Sequence, residues 1–204
     1  MRTIYWLGII IFRSATTALF GYRVIGKEKL VQKGGVVVAA NHESFLDPPL
    51  LGIAYDSEIN YLARKTLFKG FFKWLYTQWN AVPIDQERPD MSSLKQIIKI
   101  LRNEARVVIF PEGARTLDGK LQPAQAGTGL IVAKSKAVVQ PIRIFGARDC
   151  LPRGSGRIRL ARITLVVGDP IQFTQEELSA KGRNGYQKIA DRIMAEIALL
   201  ELPS

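Results

Sequence analysis

The sequence predicts an α/β fold: a mixed, largely parallel sheet flanked by helices, led by an amphipathic helical segment. Three observations carry this. Short β-branched apolar runs, such as Val36-Val37-Val38-Ala39-Ala40 and Arg106 to Phe110, read as buried strands. Stretches with helical periodicity separate them, as in Leu94, Ile97, Ile98 and Leu101. Two of the apolar runs lead directly into polar loops, at the strand ends where α/β folds present their chemistry.

Composition bounds the class. A chain of 204 residues fits one domain with an appendage, divided as an anchor over 1–25 and an α/β domain over 26–204. Its 47% hydrophobic content is enough for a core. A single cysteine, Cys150, excludes an internal disulfide, and with one histidine it argues against a Cys/His metal site, so none is expected. Basic residues outnumber acidic ones 29 to 18, for a net charge of +11. Such a protein seeks a polyanion: nucleic acid, an anionic membrane, or an acidic or phosphorylated partner.

The leading segment is the most apolar. Ile4 to Tyr22 is long enough to span a membrane, but Arg13 lies near its middle, at a cost of about 2.5–3.5 kcal/mol. On a helical wheel Arg2, Arg13, Thr16 and Thr17 share one side, and Tyr5, Trp6, Ile9, Ile10 and Phe12 lie mostly elsewhere. That predicts one helix, or two short ones, lying in the interface with those five residues in lipid. A spanning helix, a signal peptide and an ordinary core helix compete, although no small-residue cleavage site follows.

Gly34-Gly35 precedes the first buried strand, and Pro48-Pro49 opens a helix that continues over Leu50 to Tyr55. Ile59 to Ala63 reads as the next strand. In Arg64 to Tyr76, Lys65, Lys69 and Lys73 recur every four residues beside aromatic rows, which predicts a helix touching the membrane through Phe71, Phe72 and Trp74. A core helix with a solvated lysine face is the competing reading. Pro83 puts Val82 to Asp85 at a sheet edge. Asp90 is placed to cap the helix that carries Leu94. Ala126 to Lys134 reads as helix, Ala137 to Phe145 as a strand interrupted by Pro141, and Ile158 to Val167 as one strand or two. Thr174-Gln175-Glu176-Glu177 fits a capping box. Tyr186, Ile189, Ile193, Ile197 and Leu200 mark a closing amphipathic helix. The arginines between Arg143 and Arg162 read as a solvated surface, with docking of an acidic carrier as the alternative.

The two strand-end loops hold the candidate chemistry. Asn41-His42-Glu43-Ser44-Phe45-Leu46-Asp47-Pro48 contains the only histidine, with a carboxylate five residues on. Residues five apart on a helix point about 140° apart, so His42 and Asp47 meet more easily if His42 is in a loop and Asp47 opens the next turn. A carboxylate on one imidazole nitrogen leaves the other free as a base. The bland alternative is a strand-end histidine with Asp47 as a helix cap. The second loop, Pro111-Glu112-Gly113-Ala114-Arg115, offers a carboxylate, a flexible glycine and a guanidinium suited to phosphate oxygens.

Together these loops resemble the glycerolipid acyltransferases. Asn41 to Asp47 is similar to that family's NHxxxxD block. Phe110-Pro111-Glu112-Gly113-Ala114-Arg115-Thr116 is similar to its FPEGTR block, with Ala114 for the usual threonine. Asn80 to Asp85 and Val138 to Ile142 resemble two further blocks, so the likeness covers roughly residues 30 to 170. The resemblance implies acyl transfer from a thioester, on acyl carrier protein or coenzyme A, to the free hydroxyl of 1-acylglycerol 3-phosphate (lysophosphatidate). In that reading His42 is the general base and Asp47 its orienter. Arg115, Glu112, Gly113, Arg88 and Lys65 serve the acceptor phosphate, with Glu112 orienting these cations or a substrate hydroxyl and Arg88 two positions beyond the expected arginine. No cofactor is needed, and the site works at an anionic membrane surface, on the cytoplasmic face of the inner membrane. Glycerol 3-phosphate is an alternative acceptor, thioester hydrolysis a rival reaction, and a non-catalytic basic binding module a rival class. No nucleic-acid partner is expected, because no RNP-like motif accompanies the lysines and aromatics.

Overall fold

A computed structural model of the protein describes residues 3–84 and 91–203. Its sheet comprises β1 (Arg23–Ile25), β2 (Val36–Ala40), β3 (Ile59–Arg64), β4 (Ala81–Ile84), β5 (Arg106–Ile109), β6 (Val138–Phe145) and β7 (Thr164–Val167), in the order β1-β7-β6-β2-β5-β3-β4. Every neighbouring pair is parallel except β6 with β7. The predicted mixed, largely parallel sheet is therefore present. The C-terminal ends of β2, β3, β5 and β6 consequently lie at one end of it.

Alternation along β2 builds both halves of the core, because successive side chains leave opposite faces of a strand. Val36, Val38 and Ala40 face one helical layer: α1 (Thr3–Phe20) and α2 (Asp47–Ala54). Val37 and Ala39 face the other, formed by α4 (Met91–Arg102), α5 (Ala126–Ser135) and α8 (Gly182–Leu199). A central strand covered on both sides has no polar alternation to show, hence its unbroken apolar sequence. The remaining helices are α3 (Gly70–Gln78), α6 (Ala147–Cys150) and α7 (Gln175–Ser179). The capping box predicted at Thr174 is formed with Glu177 at the start of α7.

The leading helix departs from its predicted orientation. Tyr5 and Ile9, expected in lipid, are buried in the core instead. The Tyr5 hydroxyl accepts the Ile59 N–H at 3.2 Å, and Trp79 packs against Gly8. Part of the expected polar side also turns inward: Arg13 donates to the Tyr55 carbonyl at 3.1 Å and buried Thr16 back-bonds to Phe12, while Thr17 stays exposed. What α1 exposes is a stripe of Ile4, Leu7, Ile10, Ile11 and Leu19. Trp6 and Phe12 are half-buried, and Arg2 lies outside the described residues. With β1 already in the sheet at Arg23, the division at residue 25 is not a packing boundary.

Three further details correct the sequence reading. Lys65, Lys69 and Lys73 do not share a helix face, because a 3-10 turn at Lys65–Leu67 and an extended Lys69 precede α3. Only Thr164–Val167 of the 158–167 stretch is strand. Pro141 does not interrupt β6: its carbonyl accepts from Gly168 just past β7, and the Gly168 carbonyl that its missing N–H would meet accepts from the Gln140 side chain at 2.7 Å. The cap expected at Asp90 lies outside the described residues.

α5 and α8 approach so closely at Gly129 that a Cβ there would strike the Tyr186 carbonyl. Gly129→Ala is therefore expected to destabilise the fold by about 1–3 kcal/mol through overpacking, read as a lower urea midpoint.

Candidate active site

The site grows from the end of β2. Asn41 extends the strand with its side chain: its amide donates to the Ile144 carbonyl at 3.0 Å and accepts the Ile144 N–H at 2.7 Å. The chain then turns, and Asp47 opens α2. One oxygen of Asp47, Oδ2, meets His42 Nδ1 at 2.8 Å and accepts the N–H groups of Glu43 and Ser44, each at 2.7 Å. Asp47 is fully buried. Because Oδ2 accepts, His42 carries its proton on Nδ1 and leaves the Nε2 lone pair free. The ring stacks on Phe110, with centroids 3.9 Å apart and planes at 11°, and stays 18% exposed. The histidine and carboxylate paired from their spacing are thus in contact, with one imidazole nitrogen available as a base.

The second loop leaves β5 beside the first. The His42 N–H donates to Glu112 Oε1 at 2.8 Å, and the Gln122 N–H to Oε2 at 2.9 Å. The Thr116 N–H returns to the His42 carbonyl at 2.8 Å. Both Glu112 oxygens therefore accept backbone donors, and through the bond to His42 the carboxylate ties the two loops together. Burial, more than the nearby Asp47 charge, raises its pKa. Gly113 likewise shapes the turn: its φ of 75° suits glycine, and its N–H bonds the Phe110 carbonyl.

Arg115 is the cation of this loop. Its guanidinium lies 3.4 Å from the centre of the Phe45 ring, and Nη1 is buried with no hydrogen-bond partner among the described residues. Burial depresses its pKa first, and the charges of Arg153 and Arg64 add to this, while Asp47 opposes it. Arg153 also donates to the Arg115 carbonyl at 2.8 Å. Arg153 and Arg64 thus lie near enough to Arg115 for their charges to be felt there, and Arg115 in turn feels the charge of Asp47. Sequence reasoning found only Arg115. Arg64 ends β3 and was passed over for its neighbour Lys65, which begins the following 3-10 turn. Arg153 belonged to a run read as solvated surface. Arg88 lies outside the described residues. Cys150 is buried, with its thiol on the Ala161 carbonyl and its pKa raised by burial, which suits a structural thiol.

The chain is similar to known proteins over most of its length. Residues 21–145 match the acyltransferase family model. The chain is 32% identical over 155 residues to a 1-acyl-sn-glycerol-3-phosphate acyltransferase of Bacillus subtilis, covering 74% of each. With the protein of that name from Streptococcus pneumoniae it shares 26% identity over 173 residues, covering 83% of this chain and 62% of the other. The crystal structure of PlsC, the 1-acyl-sn-glycerophosphate (LPA) acyltransferase of Thermotoga maritima, superposes with a TM-score of 0.74 at 25% identity, over 98% of this chain and 80% of that one.

Glu43 gives the site a pH signature. Burial pushes its carboxyl from 4.5 up to about 7; the Arg148 N–H at 3.1 Å opposes this and Asp47 reinforces it. Between those values the native state keeps a proton that the unfolded chain has released, so stability falls as pH rises through that window. Glu43→Gln keeps the acceptor and removes this titration. The loss of thermal midpoint between about pH 5 and about pH 8 should shrink in the variant, leaving a residual slope from Glu112.

Proposed function

The chain belongs to the acyltransferase family, and from that premise we propose that it moves a fatty acyl group from a thioester to the free hydroxyl of 1-acylglycerol 3-phosphate, giving phosphatidate. The observation that carries this reading is the His42–Asp47 pair held beside Arg115, with Arg64 and Arg153 adding charge. It supplies what the reaction needs: a base for a hydroxyl and a cationic seat for the phosphate on the same molecule.

The steps follow from the residues. His42 Nε2 removes the proton from the acceptor hydroxyl as that oxygen attacks the thioester carbonyl. The tetrahedral intermediate collapses, the C–S bond breaks, and the imidazolium returns the proton to the departing thiolate. Asp47 keeps the ring in the tautomer that permits this and balances the imidazolium charge. Arg115 receives the phosphate, the buried Nη1 donor finding an acceptor there. Arg64 and Arg153 reinforce it. No cofactor enters; acyl carrier protein or coenzyme A brings the acyl group as co-substrate.

Both lysophosphatidate and product are lipids, so the site must meet a bilayer. α1 is long and apolar enough to cross a membrane, yet Tyr5, Ile9 and Phe20 are lodged in the core and Arg13 holds the Tyr55 carbonyl. This favours a helix lying along an anionic membrane surface with its exposed stripe in lipid, a monotopic arrangement on the cytoplasmic face of the inner membrane. Exposed Phe71, Phe72 and Trp74 on α3 suit the same surface.

Two substitutions test the reading. His42→Ala should lower acceptor-dependent thiol release by about 10²–10⁴-fold, the usual worth of general-base catalysis. Substantial retained activity would remove the histidine from the chemistry. Arg115→Ala should raise the KM for lysophosphatidate about ten- to hundredfold, as loss of a charge-assisted hydrogen bond does, with less effect on kcat. An unchanged KM would place the phosphate elsewhere.

A further inference from the structure

The stretch from Gly156 to Arg162 exposes what an extended chain normally hides. Ile158 is 62% and Leu160 75% exposed, and Arg157, Arg159 and Arg162 are exposed around them. Extended segments on a globular surface bury one of their two alternating faces; here large aliphatic side chains and arginines stand in solvent together. The strap is nonetheless fixed at both ends. The Arg159 N–H bonds the Cys150 carbonyl at 2.8 Å, and the adjoining Leu151 and Pro152 join the catalytic loop through the Ser44 hydroxyl, at 2.8 Å, and a backbone bridge to Ser44. At the other end the Ile163 N–H bonds the Phe20 carbonyl at 3.0 Å, and the Arg162 side chain lies against Gly21. The strap therefore links the catalytic loop to the C-terminal end of α1, where Leu19 is exposed. It leads into β7 opposite the end of β6, at the same end of the sheet as His42. Phe45 and Leu117, 64% and 73% exposed, belong to the two loops at that end.

We propose that this strap is a second lipid contact, with Ile158 and Leu160 in the headgroup–acyl boundary of an anionic bilayer and Arg157 and Arg159 on lipid phosphates. The proposal rests on the membrane reading above and extends it from α1 to the rim of the active site. Aliphatic residues alternating with arginines match a surface that is anionic outside and apolar beneath. An acidic carrier protein would engage the arginines and leave two large aliphatic side chains without a purpose. Continuity with the exposed stripe of α1 sets both elements against one bilayer and turns the catalytic end of the sheet toward the lipid that carries the acceptor.

The test uses the full chain and vesicles of phosphatidylglycerol and phosphatidylethanolamine. Ile158→Ser with Leu160→Ser, and separately Arg157→Gln with Arg159→Gln, should each weaken vesicle binding roughly tenfold or more, given about 1 kcal/mol for each arginine near an anionic surface. Turnover of a short-chain, water-soluble acceptor should stay within about twofold, which shows that the variants are folded and catalytically intact. An environment-sensitive dye on Leu160→Cys, in a Cys150→Ser background, should shift to the blue on adding vesicles. Wild-type protein that ignores the vesicles would overturn the membrane reading itself. Wild type that binds, with variants that bind equally and a dye that stays in water, would overturn the strap alone. Unchanged vesicle binding with a raised KM for carrier-borne thioester would assign the surface to a protein and equally refute it.

Discussion

One carboxylate oxygen, Asp47 Oδ2, organises the candidate active site of this protein. Two backbone N–H groups and the His42 ring converge on it within 2.8 Å. The backbone contacts shape the loop as a local turn that delivers the chain into α2, and the ring contact selects the tautomer. Folding and chemistry thus use the same atom. The spacing of five residues follows: the loop must reverse far enough for the first turn of α2 to reach back beneath the histidine.

The sheet supplies the rest by topology. Because β2, β3 and β5 are parallel, the loop of His42, Arg64 at the end of β3 and the loop of Arg115 emerge together. The strand ends themselves bring His42, Arg64 and the Arg115 loop to one place, and Arg153 joins from beyond α6. Asn41 secures the arrangement from the other side by pairing its amide with Ile144 on β6. The neighbouring Arg148 N–H, at the start of α6, reaches Glu43 and brings the α6 segment into the same network.

Much of this was legible in the sequence where a residue type had one physical use. The lone histidine, its aspartate and the following prolines specified a loop and a helix start, and Thr174 with Glu177 specified a cap. Apolarity is less informative. An apolar helix shows that it must be covered, but not on which side by protein and on which by solvent or lipid; hence Tyr5 and Ile9 turn inward and Leu7 and Ile11 outward. Charge was ambiguous in a similar way. Glu112 in a loop beside an arginine reads as a ligand-facing group, whereas its partners are backbone N–H groups whose positions no local pattern encodes. Arg64 and Arg153 join Arg115 through tertiary proximity alone. The lysines of 65–73 looked periodic, but the 3-10 turn and the extended Lys69 break the register that periodicity assumes.

The bridge made by Glu112 has a mechanical consequence. The His42 N–H on Glu112 and the Thr116 N–H on the His42 carbonyl tie the two loops at two points, and the Gln122 N–H braces the second loop on the other Glu112 oxygen. The spacing of the loops that carry the imidazole and the guanidinium is then a property of the scaffold. On the proposed reading the two tied loops act as a caliper: they gauge how many bonds lie between an alcohol and its phosphate, and a molecule of the wrong span reaches one jaw or the other, never both.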